Sequence, residues 1–408
     1  MLKTKTTSLM LATGLAGFAF VQPALALDAE AFVKRIETVY ATMGYTLDFG
    51  AATASGDTVT VDGVTVSLEG TPESFSFDTE LTFSGVTEFE DGSYTADSLT
   101  VPDVDTEFAT DPVGHVTFTD ILVSDIWLPP EGDVTIVDAL QAFASITTGP
   151  LSVTRDGEEV IAIESMSLVS DFTYDANDAL EQANSDLQIS GIWADLSTVS
   201  EEEPEAGAVI EALGLTEING SISQISSWNV ATGDIVMDEF LFDFADIGAL
   251  DITMDLGGFT PAVMDKIYDL SAASAEATSE EAQAQQMMVG MELLQALSLT
   301  SVSVRYDDAS LAGKLLDMFA AQSGVERAEF VEMLKGMVPD MVNEAGIPPL
   351  TDLVVPAVNA FLDDPQNFEV AVRPSSPTSL LVLSAAAANP AGLISALGLT
   401  VTANQPAE

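Results

Sequence analysis

Apolar and polar residues alternate with a period of two over much of the first two thirds of the chain. Val59, Val61, Val64 and Val66 open this pattern, which runs from Asp57 to Leu128. Asp-Gly and Glu-Gly pairs punctuate it at Asp62-Gly63, Glu69-Gly70 and Asp91-Gly92. Period-two alternation between such turn signals is typical of half-buried strands joined by hairpins. The pattern predicts an antiparallel β-meander with one face in water.

The alternation resumes after a predicted short helix over residues 134–146. Asp156-Gly157 marks a new hairpin. The further predicted strands are 166–174, 187–196, 218–225, 227–244 and 249–256. Each block begins with an Asp-Gly hairpin and contains an Ile-Trp pair, at Ile126-Trp127 and Ile192-Trp193. These features are compatible with a weakly duplicated, curved groove, although any two meanders resemble each other.

Helical periodicity is found in one segment near the start of the chain and in most of its last third. Residues 28–43 are predicted as a helix capped by Asp28. After Pro261, the predicted helices cover 261–273, 280–297, 310–322, 327–338, 350–362 and 390–397, and the predicted strands cover 299–306, 368–372 and 380–384. The predicted fold class is α+β, with a β-rich region over 27–260 and a helix-rich region over 261–408 that packs on the same sheet.

The first 26 residues have the pattern of a secretion signal. Lys3 and Lys5 precede an apolar run from Leu9 to Val21, and Ala24-Leu25-Ala26 supplies small residues for cleavage after Ala26. The run is shorter than the roughly 20 apolar residues of a membrane-spanning helix. We therefore expect a periplasmic protein with a cleaved signal and no stable membrane anchor. The sequence contains no cysteine and thus no disulfide.

The charge balance is strongly acidic. There are 65 Asp and Glu residues against 11 Lys and Arg, for a formal net charge of −54. Such a charge repels nucleic acid and anionic headgroups and attracts divalent cations and basic partners. The favoured explanation of the composition is an acidic surface adapted to a salty medium, and the alternative is a surface that binds cations or a partner.

No residue pattern names a reaction. His115 is the single histidine, and no Gly-x-Ser-x-Gly turn or cysteine offers a nucleophile, so we predict a non-enzyme without a cofactor and keep a secreted hydrolase as the alternative. A transition-metal centre is not expected, because it would draw on several His or Cys ligands. Asp103-x-Asp105-x-Glu107 resembles a calcium loop but lacks the glycine and glutamate of an EF-hand.

The helical third supplies the candidates for a ligand groove. Its methionines carry flexible thioethers that suit either an ordinary core or a surface that receives acyl chains. Arg305 is one of the few basic residues and can either neutralise nearby carboxylates or meet an anionic ligand. The groove candidates are Met287, Met291, Leu316, Met318 and Arg305.

Two segments resemble known bacterial envelope families. Leu299-x-x-Val302-x-Val304-Arg305-Tyr306-Asp307-Asp308-x-Ser310-Leu311, followed by Ala321-Gln322-x-Gly324-Val325, is similar to an element of the DUF945 and AsmA-like proteins. The layout of secretion signal, long meander and helical tail resembles periplasmic families of unknown function such as DUF2125. The resemblance implies an elongated β-groove of the sort linked with moving or holding lipids.

The sequence therefore favours a non-catalytic periplasmic protein that binds a hydrophobic or lipidic ligand or supports envelope assembly. The alternative is an acidic structural protein that binds calcium. Ligand identity, protein partners and oligomeric state stay open at this point.

Overall fold

The computed structural model describes residues 27–68, 74–132, 134–199, 203–274, 280–344 and 347–406. It confirms the α+β class, with a long antiparallel sheet of 21 strands and several helices in the C-terminal part. The predicted signal peptide, residues 1–26, lies outside the described residues.

The strands follow one another along the chain with few interruptions in the first two thirds. The strands before residue 130 are β1 (Tyr45–Phe49), β2 (Ala52–Ser55), β3 (Thr58–Leu68), β4 (Ser74–Ser84), β5 (Thr87–Glu88), β6 (Tyr94–Val101), β7 (Val104–Thr110), β8 (Val113–Phe118) and β9 (Ile121–Leu128). The later strands are β10 (Ser145–Thr148), β11 (Leu151–Arg155), β12 (Glu158–Ile163), β13 (Ser165–Tyr174), β14 (Leu180–Asp195), β15 (Glu217–Asn229), β16 (Asp234–Phe244), β17 (Gly248–Gly257), β18 (Ser298–Asp308), β19 (Asn367–Val372), β20 (Thr378–Ser379) and β21 (Leu399–Ala403).

The helices are concentrated after residue 260. They are α1 (Ala29–Ala41), α2 (Ile136–Leu140), α3 (Pro204–Leu213), α4 (Pro261–Ser274), α5 (Glu280–Ala296), α6 (Leu311–Ser323), α7 (Arg327–Glu344), α8 (Pro348–Asp363), α9 (Leu380–Ala386) and α10 (Pro390–Leu397). The sheet continues across the predicted boundary at residue 260, because β18 pairs with β17.

The sheet is an up-and-down meander in which long strand lines lie beside their chain neighbours. β6 and β7 form one line against β9 and β8, since Tyr94 pairs with Leu128 and Val104 with Phe118 in the same register. β10 and β11 form the next line, β12 and β13 the one after, and β14 to β19 follow in order. β21 then adds to β19.

Neighbouring strand lines are interrupted at the same level of the sheet. The breaks fall between β6 and β7, β8 and β9, β10 and β11, and β12 and β13. Hydrogen bonds tie them together: the Asp120 amide donates to Asp103 Oδ1 at 3.1 Å, and the Gly149 amide donates to the Thr119 carbonyl at 2.9 Å. The interruptions of neighbouring strand lines therefore form one continuous line across this part of the sheet.

Helix α1 covers the N-terminal end of the sheet. Asp28 caps it, with Oδ1 accepting from the Ala31 amide at 3.1 Å, as the sequence predicts. Phe32 and Val39 are fully buried on the face that meets the sheet, and the Phe32 ring lies edge-on to Phe83 and Tyr94 at centroid distances of 5.1 and 5.5 Å. This helix and the strands below it form the larger hydrophobic core.

A second, smaller core lies among the C-terminal helices. Leu316 and Ala320 of α6 are buried against Phe330 and Val331 of α7. Helix α8 reaches the sheet, where Phe361 meets Phe368 of β19 at a ring-centroid distance of 5.8 Å.

Several local predictions are wrong. Residues 380–384 form helix α9 and not a strand, because Ser379 caps the segment and the alanines after it favour a helix. The predicted strand 227–244 is two strands, since the chain turns where the Thr232 amide donates to Asn229 Oδ1 at 3.0 Å. The predicted helix 134–146 is the shorter α2, with β10 beginning at Ser145. Neither α3 nor β21 was predicted.

Candidate ligand-binding site

An apolar cavity of about 370 Å³ lies between α1, the segment that follows α2, and the strands β1, β3, β4 and β6 to β9. Its lining residues are aliphatic or aromatic, and Tyr40 alone among them carries a polar group. Burial raises the pKa of the Tyr40 phenol above its ordinary value, so this hydroxyl stays neutral at physiological pH. The cavity has the size and the lining of a site for a small hydrophobic ligand.

An irregularity in the pairing of β3 with β4 keeps the apolar side chains on the cavity side. Val61 pairs with Leu81 and Val64 pairs with Phe77, with the register shifting between Asp62 and Val64, so that Gly63 of β3 lies opposite two residues of β4. Gly63 permits this shift, because its φ is +81° and a Cβ there would lie 2.6 Å from the Phe77 carbonyl oxygen. Without this shift, Val64 and Val66 would point to the other face of the sheet.

A second cavity of about 320 Å³ lies over β13 to β16 and is closed by α2 and by Met264 of α4. Its lining combines apolar side chains with hydroxyl and amide groups. The polar members are Ser170, Asn184, Ser185, Ser226 and Ser227. Trp228 forms part of the wall, and its Nε1 donates to the Phe259 carbonyl at 2.9 Å.

Both cavities open on the same face of the sheet. Val123 of the first cavity lies directly opposite Ile146 of β10. Ile146 in turn lies opposite Leu168, which lines the second cavity. Directly paired residues of antiparallel strands project to the same side, so one face carries both cavities with β10 between them.

None of the predicted groove residues lines either cavity. Met287 and Met291 are exposed on α5, at 70% and 53%. Leu316 is buried in the core of α6 and α7, and Met318 is half-buried on α6. Arg305 is buried in the C-terminal part of the sheet. The structure therefore does not bring these five residues together.

Arg305 belongs to a charged ladder across three strands. Asp251 of β17 and Glu369 of β19 lie directly opposite it on either side. Its guanidinium donates to Asp307 through two bonds of 2.7 Å and lies 3.5 Å from Glu369 Oε2. Arg373 also binds Glu369, at 3.2 Å. The ladder thus uses Arg305 to compensate neighbouring carboxylates.

Asp251 is the strained member of this ladder. Its Oδ1 is buried and has no hydrogen-bond partner in the described chain. Burial raises the pKa of the Asp251 carboxyl, and the charges of Glu239 and Asp307 raise it further. A hydrogen bond with the Phe240 backbone and the charge of Arg305 act on this pKa in the opposite direction but do not cancel the rise. The charged form of Asp251 is therefore unfavourable in the folded state.

We expect Asp251→Asn to raise the free energy of unfolding at pH 7.5 by an amount on the order of 1 kcal/mol, because it removes a charge whose desolvation is only partly compensated. A folded-state pKa above the ordinary 3.8 means that the native protein binds this proton more tightly. The protonated Asp251 carboxyl therefore stabilises the folded wild-type protein at low pH, and this stabilisation is lost as the pH rises through the folded-state pKa of Asp251. Urea unfolding measures the increase in the free energy of unfolding that Asp251→Asn causes. This increase should be smaller at pH 4 than at pH 7.5.

Asp91→Asn is the matched control for that measurement. Hydrogen bonds from the Ser93 hydroxyl and amide lower the pKa of Asp91, so its charged form is favourable. This substitution should destabilise the protein at pH 7.5. A gain in stability from Asp91→Asn, or a loss from Asp251→Asn, would contradict the assignment of the strain to Asp251.

The remaining polar candidates serve the sheet itself. His115 Nε2 bonds to Asp105 Oδ1 at 2.6 Å across β7 and β8. Asp103 accepts the Asp120 amide at the line of breaks. Among the described residues there is no group of three or more His, Cys, Asp or Glu side chains arranged to hold a metal ion. None of the helices in the described ranges is both long and apolar enough to cross a membrane.

Comparison with known proteins adds one match. A family model described as an uncharacterized protein matches residues 241–404, from within β16 to just after β21. No curated protein matches the chain. The residues around the first cavity lie outside the matched region. The resemblance to the DUF2125, DUF945 and AsmA-like families stays a prediction.

The sequence held a signal for the first cavity, although it did not locate it. Helical periodicity predicts the helix over 28–43, and the alternation from Asp57 to Leu128 predicts a meander with one apolar face, which covers β3, β4 and β9. Their combination was missed, because a helix that precedes a meander can lie on either face and over any part of it.

Proposed function

We propose that this chain is a non-catalytic periplasmic protein that binds the hydrocarbon part of a lipidic ligand. The observation that carries the proposal is the cavity of about 370 Å³ whose lining contains a single neutral polar group. The N-terminal secretion pattern supports the location. A role in envelope assembly is compatible with the same binding activity.

The size of the cavity fits a measurable affinity. A chain that buries about 300 Å² of hydrocarbon gains about 7.5 kcal/mol at about 25 cal/mol per Å². Before the cost of association, this gain corresponds to a Kd near the micromolar range. The cavity wall is held by the larger core, so little rearrangement is needed before a chain enters.

The test uses an uncharged hydrophobic fluorophore, N-phenyl-1-naphthylamine, because the net charge of −54 would repel an anionic probe. Wild-type protein should enhance its emission, and the enhancement should saturate as the probe is added. Val123→Glu should weaken binding by about 30-fold or more, since an unpaired carboxylate in an apolar site costs about 2 kcal/mol or more.

The chain offers a matched control on the neighbouring residue. Leu122 is 36% exposed and lies on the opposite face of β9 from Val123. Leu122→Glu should change the probe affinity by less than about threefold. Val123→Phe fills the cavity without a charge and should also weaken binding. Circular dichroism establishes that each variant is folded. Folded wild-type protein that binds no probe, or equal losses from Leu122→Glu and Val123→Glu, would refute the proposal.

A further inference from the structure

Phe143 forms a wall that the two cavities share. It lines the first cavity together with Ala142 and the second together with Leu140. It lies three residues after the end of α2, and α2 itself contacts both α1 and α4. Both cavities open on one face of the sheet with β10 between them, and the Phe143 ring lies at their common boundary. We call the first cavity the apolar chamber and the second the serine chamber.

The two chambers differ in chemistry. The first offers hydrocarbon surface, with the Tyr40 hydroxyl as its single polar group. The second contains a ladder of serines, since Ser170 lies opposite Ser185 and Ser185 lies opposite Ser226. Gln224 Nε2 donates to Ser226 Oγ at 2.7 Å, which leaves the Ser226 hydroxyl proton to donate elsewhere. Serine hydroxyls both donate and accept, so this chamber suits hydroxyl and ester oxygens.

The described lining of both chambers lacks charged side chains. An anionic headgroup would meet no Lys or Arg there, and the net charge of −54 would oppose its approach. A cationic headgroup would leave its charge beside serines and hydrocarbon without a carboxylate to pair it, which is costly in a half-enclosed site. An uncharged polar group is not repelled by the negative net charge and buries no unpaired charge.

We infer that the two cavities form one bipartite site for an uncharged lipid, such as an acylglycerol, with the acyl chain in the apolar chamber and the hydroxyl and ester oxygens on the serine ladder. This inference rests on the proposed function and adds the ligand class to it. The distance from β9 to β15 is four strand spacings, or about 19 Å, so an extended amphiphile can reach both chambers.

The experiment compares three ligands that share one chain: monopalmitoylglycerol, palmitate and hexadecyltrimethylammonium. Each competes with N-phenyl-1-naphthylamine for the full mature chain, below its critical micelle concentration. Monopalmitoylglycerol should displace the probe at a concentration at least about tenfold below that of either charged ligand. The expected factor corresponds to about 1.4 kcal/mol, the contribution of one or two hydrogen bonds.

The Ser170→Ala/Ser185→Ala variant removes two hydroxyls of the serine ladder and leaves the net charge unchanged. It therefore distinguishes a ligand preference due to the serines from one due to surface charge. It should lose most of the preference for monopalmitoylglycerol and keep the probe affinity. Ser167→Ala on the other face of β13 is the control and should keep both.

The outcomes distinguish a failure of the bipartite site from a failure of the proposed hydrocarbon binding. Equal affinity for the three ligands, or a preference for monopalmitoylglycerol that survives in Ser170→Ala/Ser185→Ala, would overturn the bipartite site and leave hydrocarbon binding intact. Failure of the probe itself to bind the wild type would instead overturn the proposed function.

Discussion

Phe32→Ala should lower the free energy of unfolding by about 4 kcal/mol, the typical cost of removing a buried phenylalanine. Phe32 is fully buried and has ring contacts with Phe83 and Tyr94, so its removal leaves a cavity between α1 and the sheet. Urea denaturation followed by circular dichroism measures the change. Because α1 also forms the roof of the apolar chamber, the variant should bind the hydrophobic probe less well even where it remains folded.

Phe108 provides the control for this experiment. It lies on β7 and is 63% exposed, so Phe108→Ala should cost less than about 1 kcal/mol. A loss from Phe32→Ala no larger than that from Phe108→Ala would show that α1 does not hold the N-terminal core together.

Arg305→Met should destabilise the protein by about 3 kcal/mol or more, since it removes the buried cation beside Asp307 and Glu369 and leaves the buried Glu369 only its pair with the half-exposed Arg373. The side chains of Arg305 and Glu369 are each 10% exposed. The loss should be larger at pH 8 than at pH 5, because an uncompensated carboxyl has a raised folded pKa and destabilises the protein as the pH rises through it. Thermal unfolding at the two pH values measures this difference.

Two further variants test the origin of that effect. Arg327→Met breaks an exposed pair, in which Arg327 lies 3.4 Å from Asp317, and should cost less than about 1 kcal/mol. The double variant Arg305→Met/Glu369→Met removes the cation and one of its buried partners, so it should be less destabilised than Arg305→Met alone. If the double variant is as unstable as the sum of the two single ones, the ladder carries no coupling.

The meander and the first helix follow directly from the sequence. Alternation at Val59, Val61 and Val64, together with Asp-Gly turns, specifies paired strands because hairpins are local and their faces must differ in polarity. Asp28 specifies where α1 begins because its side chain satisfies a free amide. These features depend on residues a few positions apart, which a single sequence displays.

Other features depend on contacts that the sequence does not display. The run Leu380-Leu381-Val382-Leu383 has no clear period, so a strand was predicted where Ser379 starts a helix. The position of the candidate ligand site was not predicted, for a similar reason. Met287 and Met291 have the composition of a groove, yet whether α5 covers the sheet or faces solvent is decided by tertiary packing.

The open meander has one further consequence, which concerns contact between copies of the molecule. In the described chain β1 and β2 pair only with β3, and β21 pairs only with β19, so each end of the sheet is an edge strand, the kind of strand to which another chain can add. Helix α1 covers part of the first edge, where the Ala52 amide donates to Glu30 Oε1 at 3.4 Å. These end strands are short, and the edge that β1 and β2 form together is interrupted at Gly50-Ala51. Short, broken ends give a second chain little to pair with. The surplus of acidic residues adds electrostatic repulsion between two copies of the molecule. This repulsion acts over distances longer than a backbone hydrogen bond, so it opposes the approach of the sheet ends before strands can pair.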